Sequence, residues 1–156
     1  MNVVKIEIDD LTGSEIIELL QEHHAEMARV TPQAESMHAL DLDGLRNPAV
    51  TLWSLRDEGR LAGCGAIKRL DATHAEIKSM RTSAAFQRRG VAATLLTHIE
   101  AESARMGLTK LSLETGTEDF FAPARALYER SGFAYCEPFA DYVPDPLSVF
   151  MTKEIA

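Results

Sequence analysis

A short basic segment between a strand pattern and a long helical pattern constrains the fold of this chain more than any other feature. The pattern predicts a strand over residues 75–82 and an amphipathic helix over 90–106, with Gln87-Arg88-Arg89-Gly90 at their junction. Unpaired backbone N–H groups and the helix dipole make a helix start attractive to anions. The two arginines add full charges and the glycine permits close backbone approach, so the segment predicts a pyrophosphate site.

The rest of the chain alternates between strand and helix patterns without an internal repeat or linker. A strand is expected at residues 3–8, and Thr12 with Glu15 has the spacing of a capping box that would start a helix ending at Thr31-Pro32. Further elements are expected as a short helix at 40–45, strands at 50–56, 61–70 and 110–115, a helix at 122–131, and strands at 133–136 and 148–153. This order predicts an α/β fold with a mixed sheet flanked by helices.

Glycines mark two features of the predicted second and third strands. Gly59 lies in the turn Asp57-Glu58-Gly59-Arg60 and can take a positive φ, which predicts a hairpin. Gly63 and Gly65 interrupt the following strand, and this indicates a bulge or a close approach of two backbones.

The size and charge of the chain exclude several classes of function. Its 156 residues fit one domain, residues 1–156, which needs no disulfide or metal to form a core. A formal net charge of −8 argues against nucleic acid as a partner, because proteins that bind it neutralise phosphates with Lys and Arg. The N-terminus lacks a signal-peptide pattern, and no apolar run approaches the roughly 18 residues of a membrane helix. With only two cysteines, we expect a cytoplasmic protein without a membrane partner or a metal.

Two motifs narrow the chemistry of the predicted anion site. The basic segment lacks the Gly-Lys-Ser/Thr of a Walker loop and the three glycines of the dinucleotide fingerprint. Gln87-Arg88-Arg89-Gly90-Val91-Ala92 resembles the Gln/Arg-x-x-Gly-x-Gly/Ala signature of the Gcn5-related N-acetyltransferases. Ala124-Arg125-Ala126-Leu127-Tyr128-Glu129-Arg130-Ser131-Gly132-Phe133 resembles a second segment of that family, Ala-x-x-Leu-Tyr-x-x-x-Gly-Phe. The resemblance covers about residues 61–133, with the motifs in the family's order.

The resemblance implies a mixed, mostly antiparallel sheet with a splayed central strand pair, and acetyl-CoA as co-substrate without a metal. It implies a coenzyme site formed by Met80, Arg81, Thr82, Gln87, Arg88, Arg89, Gly90, Val91, Ala92, Phe121, Ala124 and Tyr128. Many members carry asparagine where this chain has Phe121, so a polar contact to the pantetheine arm is expected to be lost or replaced by packing. Homodimers are common in the family, which makes a second copy of the chain a candidate partner.

Acetyl transfer to an amine requires removal of an amine proton and protonation of the departing thiolate. The resemblance assigns the second role to Tyr128, because a phenol keeps its proton at neutral pH. Glu76 is the candidate base, since histone-type members of the family carry a glutamate there. Pairing with Lys78 on the same strand face is the structural alternative for Glu76. Glu114, His38 or a water relay are competing routes for the proton.

Two interpretations without catalysis stay open beside the enzymatic one. A chain of this fold could bind or sense acyl-CoA without turnover, or serve as an interaction subunit of a larger assembly. If it is an enzyme, the acceptor is a small-molecule or peptide amine that contacts residues 21–48 and 136–146, which carry no motif that indicates a substrate. The preferred acyl chain is equally open.

Overall fold

The structure, a computed structural model, describes residues 3–31, 33 and 36–155 as one mixed sheet with helices on both faces. The strands are β1 (Val4–Ile8), β2 (Val50–Asp57), β3 (Arg60–Arg69), β4 (His74–Thr82), β5 (Lys110–Gly116), β6 (Ala134–Cys136) and β7 (Ser148–Glu154). The helices are α1 (Ser14–Val30), α2 (Leu42–Leu45), α3 (Val91–Arg105) and α4 (Ala122–Arg130), with 3₁₀ turns at Ala84–Phe86 and Asp119–Phe121. The predicted order and approximate bounds of these elements are confirmed.

The sheet opens between its two central strands. Its order is β1-β2-β3-β4-β5-β7-β6, and every pair of neighbours is antiparallel except β4 and β5. That parallel pair is short and ends at Glu76 opposite Ser112, although β4 continues to Thr82 and β5 to Gly116. The two strands therefore part after Glu76, which confirms the splayed pair and leaves a gap within the sheet.

Separate apolar clusters cover the two faces of the sheet. One cluster joins α3 and α4 to strand residues such as Ile77 and Leu113. The other joins α1 and α2 to Leu52 and Ala66. Each fully buried aliphatic side chain contributes about 1.5–3 kcal/mol of transfer free energy, so both clusters hold helices against the opened sheet.

The capping box predicted at Thr12 and Glu15 is wrong. α1 begins at Ser14 with Gly13 as its N-cap and has no side-chain cap. The Thr12 N–H and hydroxyl donate to Asp10 Oδ1 at 3.2 and 2.6 Å, because a carboxylate two residues earlier offers a local acceptor outside the helix. The helix ends at Val30, as expected, and Pro32 lies outside the described residues.

The bulge predicted from the two glycines of β3 is confirmed. A Cβ at Gly63 would lie 2.8 Å from the Arg81 carbonyl oxygen, and one at Gly65 would overlap Met80 Sδ. The β3–β4 register shifts beside these glycines, and Ser79 has a φ of 57°. The extra residue in β4 bends that strand where the gap widens. The hairpin between β2 and β3 is also confirmed, with a φ of 82° at Gly59.

Candidate active site

The basic turn before α3 has a backbone suited to anion binding. Gly90 is the N-cap and has a φ of 76°, and Arg88 has a φ of 64°. The first intrahelical bond runs from the Thr94 N–H to the Gly90 carbonyl at 3.0 Å, so the N–H groups of residues 91–93 have no acceptor in the helix. Gln87, Arg88, Arg89 and Gly90 are exposed, whereas Val91 is buried and Ala92 half-buried. The turn thus presents free donors and two cations to solvent.

Phe86 anchors this turn to the core. Its side chain is buried, and the guanidinium carbon of Arg89 lies 5.3 Å from its ring centroid. Arg60, at the start of β3, lies 4.8 Å from the same ring. Such contacts attract a cation by the ring quadrupole, so the aromatic ring helps to fix positive charge beside the helix start.

The second half of β4 runs along the gap. Met80 packs against the cluster under α3. Arg81 reaches α1 on the other face, where its Nη1 donates to Glu26 Oε1 at 2.5 Å. Beyond Glu76, β4 pairs with β3 alone, so the strand edge from Met80 to Thr82 that faces the gap is open to an extended ligand.

Tyr128 projects from α4 into the apolar core. Its side chain is 6% exposed, and its ring lies edge-on to Phe133 at 5.7 Å between centroids. The hydroxyl makes no hydrogen bond with the part of the chain that the structure describes. Burial raises the pKa of Tyr128 well above its usual value, so its phenol holds a proton across the neutral range.

Phe121 takes the place of the family's asparagine with a packed ring. A Cβ at Gly116, the last residue of β5, would overlap Phe121 Cδ2. Arg125 binds the same corner by donating to the Gly116 carbonyl at 2.6 Å. Ala124, one turn after Phe121, packs against the core cluster. The Phe121 ring therefore packs against Gly116 at the end of β5.

Glu76 lies at the last position of β4 that pairs with β5 and is 4% exposed. Its Oε2 accepts hydrogen bonds from Lys78 Nζ at 3.2 Å and from the Tyr142 hydroxyl at 2.5 Å. The same-face pairing with Lys78, weighed as the structural alternative, is therefore present. Burial and the charge of Glu76 raise the pKa of Tyr142 far above the usual phenol value, which keeps it a donor.

Glu114 is a second, half-buried carboxyl on the same face of the sheet. Ser112, two residues before it, shares that face with His74, because the two side chains contact each other at 2.7 Å. The Ser148 hydroxyl donates to Glu114 Oε2 at 2.8 Å. Burial raises the pKa of Glu114 to about 7, while Ser148 and Lys78 oppose this shift. The pKa of the Glu114 carboxyl therefore lies near neutrality.

Two loops meet beside the carboxylates. Ser36, after α1, donates through its hydroxyl to Asp145 Oδ2 at 2.5 Å, which ties the loop after α1 to the segment before β7. The rings of His38 and Phe139 lie 4.9 and 5.2 Å from that of Tyr142. Burial lowers the pKa of His38, so its imidazole is mostly neutral at pH 7 and contributes little positive charge.

The predicted residues fall on both faces of the sheet. The expected coenzyme residues lie in the second half of β4, in the basic turn, in the first turn of α3, and in the segment from Phe121 into α4. Tyr128 belongs to the cluster under α3 and α4, whereas Glu76 and Glu114 lie on the opposite face with Lys78. The sequence does not indicate a role for Tyr142 in proton transfer. Tyr142 contacts Glu76, which lies 66 residues away in the chain, and no local pattern predicts such a contact.

Two negative observations concern the part of the chain that the structure describes. Within it, no group of three or more His, Cys, Asp or Glu residues is arranged to hold a metal ion. None of its helices is long and apolar enough to cross a membrane.

A sheet that opens between its central strands beside the free start of a helix is the architecture of acyltransferases that use coenzyme A thioesters. The chain belongs to the Acetyltransferase (GNAT) family, whose model matches residues 15–133. It is 55% identical over 150 residues to the uncharacterized N-acetyltransferase YsnE of Bacillus subtilis (strain 168). The alignment covers 96% of this chain and 99% of that protein.

Solved structures share the whole architecture. A provisionally named acyl-CoA N-acyltransferase from Klebsiella pneumoniae subsp. pneumoniae MGH 78578 superposes with a TM-score of 0.82 at 30% identity, covering 99% of both chains. A GNAT family acetyltransferase from Elizabethkingia anophelis, solved with acetyl-CoA bound, has a TM-score of 0.69 at 18% identity and covers 97% of both chains. The second likeness shows the fold alone.

Proposed function

We propose that this chain transfers the acetyl group of acetyl-CoA to a primary amine by direct attack within a ternary complex. The observation that carries the proposal is the continuity of two features. The free N–H groups at the start of α3 adjoin the open edge of β4, so one extended ligand can engage both. Coenzyme A has that shape, with a pyrophosphate at one end and an amide-containing arm at the other.

The coenzyme would follow the gap from the basic turn toward α4. Its pyrophosphate would accept hydrogen bonds from backbone N–H groups of residues 87–92, supported by Arg88 and Arg89. Its pantetheine arm would lie beside Met80, Arg81 and Thr82, with the Met80 N–H near the thioester carbonyl. Phe121, Ala124 and Tyr128 would line the opposite wall. A donor aimed at the developing oxyanion is often the largest contribution of an acyl-transfer site.

Tyr128 supplies the departing thiolate with a proton in this proposal. The raised pKa keeps the hydroxyl protonated near neutral pH, and the hydroxyl donates no hydrogen bond to the described part of the protein. Its donor is therefore available to a coenzyme sulfur in the gap. A proton transferred in the transition state typically contributes about 10²–10⁴ in rate.

The amine proton leaves on the opposite face of the sheet. Glu76 is the base that the family resemblance favours, and Glu114 is the second carboxyl of the same cluster. Because both lie on the face of the sheet opposite to Tyr128, an amine entering under the loop before β7 would attack while the thiolate departs on the other side. This separation of base and acid suits direct attack without a covalent enzyme intermediate. Initial-rate lines that intersect, rather than run parallel, would support it.

Calorimetric titration with acetyl-CoA tests coenzyme binding. The variant is Gly90→Glu, and the matched control is Gly107→Glu at the other end of α3. Both glycines have a positive φ, 76° and 87°, and a Cβ added at either would meet no atom within 4 Å. The two substitutions thus share their backbone strain and differ in whether the new carboxylate faces the proposed pyrophosphate.

Gly90→Glu should weaken binding at least about tenfold, or 1.4 kcal/mol, while Gly107→Glu stays close to wild type. Equal losses in both variants would mean that strain, not charge, is responsible. A wild-type protein that does not bind acetyl-CoA would refute the proposal. Binding without transfer to any amine would favour a non-catalytic acyl-CoA sensor.

A further inference from the structure

We propose that the open edge of β1 is an interaction surface for a second copy of this chain. In this arrangement β1 of each copy pairs antiparallel with β1 of the other, with Ile6 opposite Ile6, and the two sheets join into one. β2 and β3 separate β1 from the gap between β4 and β5, so the inference is independent of the proposed function.

β1 is an edge strand whose outer side is open along its five residues. Within the described part of the chain, its neighbour in the sheet is β2 alone. Val4 and Ile8 are 50% and 64% exposed, although both are apolar. An open edge pairs readily with another strand unless charge, proline or a bulge prevents it. Neither proline nor a bulge interrupts Val4–Ile8, so its two charged residues decide what can pair with it.

The hydrogen bonds between β1 and β2 show which main-chain groups of β1 point outward. The Asp9 N–H donates to the Leu52 carbonyl at 2.8 Å. The Glu58 N–H donates to the Val3 carbonyl at the same distance. In an antiparallel pair, positions bonded to one neighbour alternate with positions whose N–H and carbonyl groups point to the other side. The outward-pointing groups therefore belong to the three apolar residues of the strand, Val4, Ile6 and Ile8.

One antiparallel register pairs these outward groups without setting like charges opposite each other. Even-numbered residues must lie opposite even-numbered residues for their groups to bond. Centring the pair on Ile6 meets this condition and sets Lys5 of each copy opposite Glu7 of the other. The neighbouring registers set Lys5 opposite Lys5 or Glu7 opposite Glu7, which is unfavourable. Larger shifts leave most of the strand unpaired.

The same register brings the apolar sides of the two copies together. Ile6 packs against the cluster under α3, so Val4 and Ile8, two positions away on either side, lie on that face of the sheet. Each Val4 then lies opposite an Ile8 of the other copy. Lys5 and Glu7 lie on the opposite face, where their side chains are 70% and 52% exposed. Pairing therefore covers apolar surface and gives each charged residue an oppositely charged neighbour.

The order of residues in β1 favours a second copy over a peptide of another protein. An open strand edge can accept any extended segment through its main chain. β1, however, reads apolar, positive, apolar, negative, apolar, and is complementary to its own reversed sequence. A partner that is unrelated to this chain would not require that order.

Sedimentation equilibrium over a series of protein concentrations tests the interface. The average mass of the wild type should rise with concentration toward that of a dimer. Lys5→Glu and Glu7→Lys should each raise the dimer Kd at least about tenfold, because each sets like charges opposite each other at two places. The double variant Lys5→Glu/Glu7→Lys restores opposite charges at both places and should dimerise like wild type.

Glu154→Lys is the matched control for Glu7→Lys. It makes the same change of charge at an exposed carboxylate, at the end of a strand that has neighbours on both sides. It should leave the dimer Kd unchanged.

An equal mixture of the two single variants is the sharpest test of the register. A Lys5→Glu copy and a Glu7→Lys copy set glutamate opposite lysine at both places. Mixed dimers should therefore form about as tightly as wild-type dimers, although neither variant pairs well with itself. This rescue would also show that both variants are folded.

Hydrogen exchange measured residue by residue tests the main-chain part of the proposal. The amides of Lys5 and Glu7 point to β2 and should be protected at every protein concentration. The amides of the three outward-pointing residues should become protected only as the dimer forms. Equal exchange of these three amides at low and high concentration would overturn the inference.

Three results of the sedimentation experiments would overturn it as well. The first is a wild type that stays monomeric at every concentration, which would leave the edge to a peptide of another protein. The second is a dimer Kd that neither single variant changes, because the copies would then associate through another surface. The third is a mixture of the single variants that associates no better than its components.

Discussion

Tyr128 is the residue where packing and chemistry are most easily separated. Its ring belongs to the core, whereas its hydroxyl makes no hydrogen bond with the described residues. Tyr128→Phe should therefore leave the free energy of unfolding and the Kd for acetyl-CoA nearly unchanged. It should lower kcat by about 10² or more, because the departing thiolate loses its proton donor.

Steady-state kinetics beside calorimetry would measure this split between kcat and binding. Tyr135→Phe is the control, since Tyr135 is exposed and donates to Glu129 at 2.6 Å on the surface. If Tyr128→Phe kept the wild-type kcat, the thiolate would have to be protonated by another group or by water. If it lost coenzyme affinity instead, the hydroxyl would be a binding contact.

Residues that act through local backbone geometry were predictable, and residues that act through distant contacts were not. Gly90 and the arginines before it form a turn whose conformation follows from its neighbours in sequence. Glu76 was predicted as the candidate base, but its phenol partner, Tyr142, lies 66 residues away in the chain. The sequence shows that Phe121 departs from the family's asparagine. That its ring packs against Gly116 could be seen only in the structure.

At the scale of elements, α1 is attached to the sheet by groups that respond to acid. His23 is 8% exposed on the sheet-facing side of the helix, and burial and the charge of Arg81 lower its pKa from 6.5 to about 4. A lowered folded-state pKa gives stability that is present above pH 6.5 and is lost as the pH falls toward 4. The corresponding free energy is up to about 3 kcal/mol.

His23→Leu should remove this acid sensitivity. Urea unfolding at pH 7 and pH 4.5 would show a smaller decrease in the free energy of unfolding for the variant than for wild type. The Glu26–Arg81 pair would still weaken in acid in both proteins, because Arg81 lowers the pKa of Glu26. Equal decreases in both proteins would contradict a dominant role for His23.

Element boundaries followed from the sequence except where a side chain had two choices. Thr12 could cap α1 or bond to Asp10, and spacing alone cannot rank those options. The splay of β4 and β5 came from family resemblance, because nothing in the composition of either strand marks where their pairing stops. The bulge was visible as two glycines, but the residue that takes the positive φ, Ser79, lies on the neighbouring strand.

At the scale of the whole molecule, the ionisation of Glu114 makes stability depend on pH. Its folded-state pKa of about 7 lies above the reference value of 4.5, so its contribution to stability is full below pH 4.5 and is lost as the pH rises through 7. Glu114→Gln should therefore become more stable than wild type as the pH rises from 5 to 8, by up to about 3 kcal/mol.

Urea titrations at pH 5 and pH 8 would measure this difference, with Glu154→Gln expected to follow wild type at both. A constant offset between Glu114→Gln and wild type would mean that the carboxyl does not change ionisation on folding. A variant that is more stable and less active would mark Glu114 as a group kept for chemistry at the expense of packing.

The gap between β4 and β5 is also the place where neighbouring strands of the sheet share few main-chain links. Only three residue pairs join the two strands. Beyond these pairs, the backbone edges that face each other are not joined by strand pairing. If acetyl-CoA binds in that gap, it links the two strand edges. A concentration of acetyl-CoA one hundred times its Kd then adds about 2.7 kcal/mol to the free energy of unfolding. The lifetime of the chain against proteases would then follow the acetyl-CoA supply around it, so that metabolic state governs the amount of the protein as well as its rate.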